Sequence, residues 1–186
     1  TDSKLAWMLL AATIPAGLGG LLFASQVEQY ARSLVLIGGT SIGFGLLLFV
    51  SDRFGSKQRS LAEMNWKTAL LIAVSQVFAL IPGTSRSGIT MTAALFCNLD
   101  RAAAARFSFL LAIPIIAASG LLRGIELLHD GTESVEWLIL LYAIFISAVV
   151  AYFCIHYFLQ LIKRIGFLPF VIYRVSLGIA LILLAL

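Results

Sequence analysis

Five stretches of this chain, about 5–23, 33–50, 102–122, 136–161 and 167–186, are apolar over close to the length that carries a helix across a bilayer, roughly 20 residues. A transmembrane barrel requires short segments of alternating polarity instead, and these runs are unbroken. Of the 186 residues, 61% are hydrophobic and only 12% charged. A soluble domain carries about a quarter charged residues, and one of this size cannot bury so much apolar surface. The chain is therefore expected to be an all-α integral membrane protein, a single polytopic domain over residues 1–186. Its net charge of +4 is read through its placement in the loops, as a topology signal, and no nucleic-acid partner is expected.

A sixth apolar region, about 66–98, is cut by the sequence PGTSRSG at 82–88. Its halves, about 66–81 and 87–98, are each short of a span. Pro82 has no amide proton to continue a helix, and Gly83 ends one at little steric cost. The expected form is a re-entrant helical hairpin that enters and leaves on one side. Basic residues test this. With a re-entrant hairpin, Lys4, Arg53, Lys57, Arg59, Lys67, Arg101, Arg106, Lys163 and Arg164 share one side, against Arg32 and Arg123 on the other. The larger set belongs in the cytoplasm, and the loop 123–136 then faces outside. A full span at 66–98 would erase the asymmetry.

The break has the chemistry of an anion site. Thr84, Ser85, Ser87 and Thr90 supply hydroxyls, Gly83 and Gly88 permit close backbone approach, and a helix starting near residue 87 would aim its free N–H groups at the turn. Arg86 adds a planar fork of donors suited to phosphate oxygens. It lies too far along the hairpin to reach the interface. The loop contains no acidic residue and no Walker lysine, which argues against a nucleotide site. An intramembrane phosphate or carboxylate site is one reading. The other is a turn in which Arg86 only ties down the carbonyls of the broken helices.

The remaining features have plainer expectations. Cys97 and Cys154 read as small hydrophobes. Arg101, Arg106 and Arg174 read as helix-end arginines that snorkel to the interface. His156 with Gln160 and Lys163 reads as a polar helix end. The small residues Gly39 and Gly43, and Ala12, Ala16 and Gly20, mark faces for close helix contact, and Pro15 and Pro114 allow kinks.

The stretch SQVFALIPGTSRSGITMTAALFCNLDRAAAARFSFLLAIP (75–114) resembles the second signature of the undecaprenyl-diphosphate phosphatases, the bacitracin-resistance family. FLQLIKRIGFLPFVIYR (158–174) resembles that family's C-terminal stretch. The resemblance implies an inverted-repeat fold with re-entrant hairpins, and a homodimer. It implies a multi-pass enzyme of the bacterial plasma membrane that removes the terminal phosphate of undecaprenyl diphosphate at the outer face, recycling the lipid carrier of cell-wall synthesis. Ser85 and Arg86 then take the catalytic, diphosphate-holding places, and Gly83, Thr84, Ser87, Gly88 and Thr90 the substrate-binding ones. It also implies a divalent cation, Mg or Ca, held by an N-terminal glutamate-rich motif that nothing here matches. The nine acidic residues fall in loops or at span ends. The sequence is thus read as beginning about a third of the way into the family's pattern and carrying half of the site.

Two other classes compete. A transporter or flippase of an anionic or polyprenyl-phosphate lipid also uses broken helices aimed at anions. A purely structural membrane subunit leaves Arg86 unexplained. The charge split yields a direct test. In a background without Cys97 and Cys154, cysteines introduced at 53–60 should stay protected from an impermeant thiol reagent in intact cells, and cysteines at 129–134 should be labelled. The opposite pattern would reverse the sidedness.

Overall fold

The structure, a computed structural model, describes residues 2–30, 33–129 and 136–185. Arg32 and the loop residues Asp130 and Glu133 lie outside them. Seven helices follow in order: α1 (Asp2–Tyr30), α2 (Leu34–Phe54), α3 (Trp66–Ser75), α4 (Arg86–Phe96), α5 (Arg101–His129), α6 (Trp137–Ile165) and α7 (Leu168–Ala185). A single 3-10 turn, Leu61–Glu63, precedes α3, and another, Gln76–Leu80, follows it. Among the described residues there is no strand, only one isolated bridge between Arg59 and Leu99. Four helices, α2, α5, α6 and α7, are long and apolar enough to cross a membrane. The first, α1, covers the expected 5–23 and runs on to Tyr30.

Local chemistry explains the boundaries. Ser33 caps α2 by accepting from the Leu36 amide. Asn65 caps α3 through the Thr68 amide at 2.8 Å, and Asp100 caps α5 through the Ala103 amide at 2.8 Å. The Glu63 carboxylate takes the Ser60 amide and hydroxyl at 2.6 and 3.0 Å. These bonds hold its carboxyl below the usual glutamate range. Pro15 and Pro114 lie inside α1 and α5.

The hairpin α3–α4 is the organising element. Its two open ends are tied to each other by backbone bonds. The Arg59 amide donates to the Asn98 carbonyl at 2.9 Å, and the Asp100 amide donates to the Arg59 carbonyl at 2.8 Å. The Arg59 side chain adds bonds to the Glu63 and Cys97 carbonyls and to the Thr68 hydroxyl. The chain therefore leaves the hairpin where it entered. From there α4 runs into the middle of the molecule, buried at every residue from Gly88 to Leu95 and enclosed by α2, α3 and α5. Its hydroxyls bond inward. Thr92, for example, donates to the Gly88 carbonyl at 2.7 Å, which spares the interior an unpaired group.

Beside the hairpin mouth, Asp52 gathers three parts of the chain. Arg101 grips it at 2.7 and 3.0 Å through Nε and Nη2. Lys57 lies at 3.3 Å, and the Phe167 amide donates at 3.4 Å. Arg101 thus departs from the snorkelling expectation. A carboxylate within bidentate reach offers it more than the interface does. Gly166, at φ 72°, packs directly on this guanidinium.

The most extensive helix pair is α2 with α7. It depends on glycines, but not on those expected. Gly39 and Gly43 are exposed, with nothing near them. The contact stripe is Gly38, Ser41, Gly45 and Leu48, all buried. A Cβ on Gly38 would lie 2.7 Å from the Gly178 carbonyl oxygen, and one on Gly178 would lie 2.6 Å from that of Gly38. The expected pair lies on the wrong face, and the glycines used are seven apart with Ser41 between them, because Gly178 and Arg174 of α7 meet that face. On α1, Gly19 takes the close contact, against Val77 and Leu80, while Gly20 has open space. In contrast to these packed pairs, α6 is exposed from Trp137 to Tyr157 and packs only through its last turns, by Phe158, Leu159 and Ile162. Gly178→Leu should cost about 1–3 kcal/mol by overpacking, whereas Gly39→Ala should be neutral or slightly stabilising. Thermal unfolding of the two variants in detergent checks the contrast.

Candidate functional site

The break between the hairpin limbs is a built structure. The first limb ends in the 3-10 turn at Leu80. The Thr84 amide then closes back on the Ile81 carbonyl at 3.0 Å, with Gly83 at φ 85°. That left-handed conformation favours glycine. A Cβ at Gly83 would also run into Thr40 Oγ1 and the Ile37 carbonyl, so the turn is pressed flat on α2. Ser85 caps α4 by accepting from the Gly88 amide at 3.1 Å, and its hydroxyl lies 3.2 Å from that of Ser87. Arg86 is the first residue of α4 and is half-buried. Its guanidinium has no acceptor among the described residues.

Breaking a helix frees carbonyls, and two helices from elsewhere in the chain satisfy them. Thr40 Oγ1 on α2 donates to the Pro82 carbonyl at 2.5 Å. Arg174 on α7 donates through Nη2 to the Gly83 carbonyl at 2.5 Å and through Nε to the Ser41 carbonyl at 3.4 Å. The Ser41 hydroxyl returns a bond to the Arg174 carbonyl at 3.2 Å. Arg174 is 6% exposed, and its guanidinium lies 5.9 Å from the centroid of the Phe170 ring. It does not snorkel. The missing side chain at Gly45 lets its stem lie against α2, where a Cβ would sit 3.3 Å from that of Arg174. The carbonyl-tying role weighed for Arg86 thus falls to Arg174.

The seven expected site residues lie together, with different tasks. Ser85, Arg86 and Ser87 are at the helix N-terminus and half-buried. Gly83 and Gly88 are required by close contacts. Thr90 is 1% exposed. Its hydroxyl lies 2.9 and 3.1 Å from the Arg86 and Ser87 carbonyls and 2.7 Å from the Ser108 hydroxyl, so in this structure it braces the loop from behind. Thr84 Oγ1 is buried without a partner, as are both polar atoms of Gln76. An apolar cavity of about 220 Å³ adjoins the loop at Ser87, lined by Met91, Phe109, Cys154, Ile155, Phe158 and Phe170. Among the described residues no three of His, Cys, Asp and Glu gather to hold a metal ion. The described residues of the loop, all hydroxyls, amides and a guanidinium, do not fit a divalent cation. His156 is on α6, with its Nε2 2.8 Å from Gln160 Nε2.

Residues 1–180 match the family model described as bacitracin resistance protein BacA. The chain belongs to the BacA family. An undecaprenyl-diphosphatase of Hahella chejuensis is 54% identical over 181 residues, 97% of this chain and 67% of that protein. Undecaprenyl-diphosphatase 1 of Pseudoalteromonas translucida is 51% identical over 97% of this chain and 68% of its own, and an undecaprenyl-diphosphatase of Teredinibacter turnerae 52% identical over 97% and 68%.

Within this BacA chain, sequence reasoning found the loop and missed what clamps it: Arg174, Thr40, the Ser41 carbonyl and Ser108. The one local signal was weak, an arginine six residues into an apolar helix. Two substitutions separate the loop's donors from its braces. Arg86→Ala removes a guanidinium with no protein partner, so the full-length protein should unfold at a nearly unchanged temperature yet lose about 2–4 kcal/mol of transition-state stabilisation in phosphate release. Thr90→Val removes the 2.7 Å bond to the buried Ser108 hydroxyl, which keeps only the Ser87 carbonyl at 3.4 Å. It should cost about 1–3 kcal/mol of stability, read as an earlier melting transition.

Proposed function

We propose that this chain carries the diphosphate-binding part of an enzyme that hydrolyses undecaprenyl diphosphate to its monophosphate at the outer face of the bacterial plasma membrane. Water adds to the terminal phosphorus, the bridging P–O bond breaks, and orthophosphate leaves. The observation that carries this reading is the loop itself. An arginine without a protein partner among the described residues, two hydroxyls and a helix N-terminus converge there, with no carboxylate bonded to any of them. Such a cluster attracts negative charge and has nothing to offer a cation. The names of the relatives supply the substrate, and the apolar cavity beginning at Ser87 suits an isoprenoid chain attached to a charged head.

Placement in the membrane follows from the hairpin. Its mouth is level with Asp52, whereas its tip touches α2 at Ile37 and Thr40, twelve residues along that helix or about 18 Å at 1.5 Å per residue. This depth supports a re-entrant hairpin with α1, α2, α5, α6 and α7 as five spans. The tip lies nearer the Leu34 end of α2, the end opposite the positively charged loops, which supports a site open to the outer face. Ser85, Arg86, Ser87 and the first amides of α4 hold and orient the phosphate oxygens. Arg86 offsets the charge that builds on them as the bridging oxygen departs. A homodimer is part of the same reading.

Full-length protein reconstituted in liposomes should release orthophosphate from a C55 polyprenyl diphosphate and leave the monophosphate. Movement of the lipid between leaflets without phosphate release would favour a transporter and overturn the enzymatic reading.

A further inference from the structure

The hydrolytic proposal uses Arg86, yet a second guanidinium reaches the same loop. Arg174 is 94% buried by its 6% exposure, a costly place for a charge unless it is paired or heavily hydrogen-bonded. No carboxylate pairs with it among the described residues. Nε and Nη2 are spent on the Ser41 and Gly83 carbonyls. Nη1 has no protein acceptor among the described residues. Its direction is fixed by Gly88. The position a Cβ would occupy there lies 3.8 Å from Arg174 Nη1 and 3.3 Å from Ser85 Oγ. The unspent donor of Arg174 and the hydroxyl that caps α4 thus flank one glycine, at the helix end to which an anion is drawn.

We propose that Arg174 is a substrate-contacting residue, a second guanidinium of the anion site whose Nη1 binds an oxygen of the diphosphate. The inference rests on reading residues 82–88 as an anion site, and not on hydrolysis. Two of its donors lock the arginine to α2 and to the turn, so the third is presented in a fixed direction with little entropy left to lose. Arg86 is held by no such bonds. The pair then divides the work: a rigid cation set into the wall and an adaptable one on the helix end. A diphosphate carries more oxygens and more negative charge than orthophosphate to share between two cations, so the arrangement favours diphosphates.

The test is equilibrium binding of inorganic pyrophosphate and, separately, orthophosphate to the full-length protein in detergent. The wild type should prefer pyrophosphate. Arg174→Gln keeps an amide donor near the Gly83 carbonyl and removes the charge. It should weaken pyrophosphate binding at least tenfold and orthophosphate binding much less, which narrows the preference. Equal loss for both anions would mean that Arg174 acts only by shaping the loop, and unchanged binding would mean that it does nothing there. Either result overturns the proposal, as does a wild type that binds neither anion. Where Arg174→Gln does not fold, Arg174→Lys decides: the charge stays, the fork is lost, and pyrophosphate affinity should fall several-fold, with wild-type affinity overturning the idea. A wild type that binds pyrophosphate and shows the expected variant effects, but hydrolyses no polyprenyl diphosphate, would sink the enzymatic reading and leave this one standing.

Discussion

A helix interrupted in an apolar setting leaves carbonyl oxygens that no water relieves, and the rest of this structure depends on how two of them are satisfied. The Pro82 oxygen takes a hydroxyl from α2 and the Gly83 oxygen a guanidinium from α7. Backbone polar groups that lose their helical partners need others, and here two helices of the protein supply them. Because α2 and α7 satisfy these acceptors, none of Ser85, Arg86 and Ser87 is spent on the Pro82 or Gly83 carbonyl.

The other end of the hairpin is secured by different physics. At the mouth the chain runs through loops, where charge is affordable. Asp52, Lys57, Arg101 and the Phe167 amide form one network. The backbone exchange between Arg59 and residues 98–100 makes the two limbs leave from one point. Between mouth and tip the contacts are apolar, with α4 enclosed on all sides. A single broken helix is thus held by polar bonds at both ends and by apolar contacts in the middle.

How far the sequence disclosed this can be judged residue by residue. The break between α3 and α4 was legible because Pro82 and Gly83 cut an apolar run into two short halves. Arg86 was singled out because it had no interfacial excuse, and it is half-buried with no acceptor among the described residues. Arg174 was not, since six residues from a helix end the interface is still within reach of a long side chain, and only the tertiary packing of α7 on Gly45 shows that it turns inward. Arg101 was misjudged for a similar reason: its partner Asp52 lies 49 residues away, a pairing that no local pattern contains. Gly38 and Gly39 are neighbours with equal composition, and only the position of Gly178 decides which one is used.

The clamp on Gly83 has a consequence for the order of assembly. The residue that holds the turn lies 91 positions downstream, on the last helix described. While the chain is being made, the two limbs of the hairpin can form as soon as they emerge, but the Gly83 carbonyl has no donor until α7 arrives and docks through Gly178. The finished turn is therefore a late product of synthesis. A nascent chain stalled before α7 would hold all seven residues of the PGTSRSG motif and still lack the guanidinium that clamps its turn.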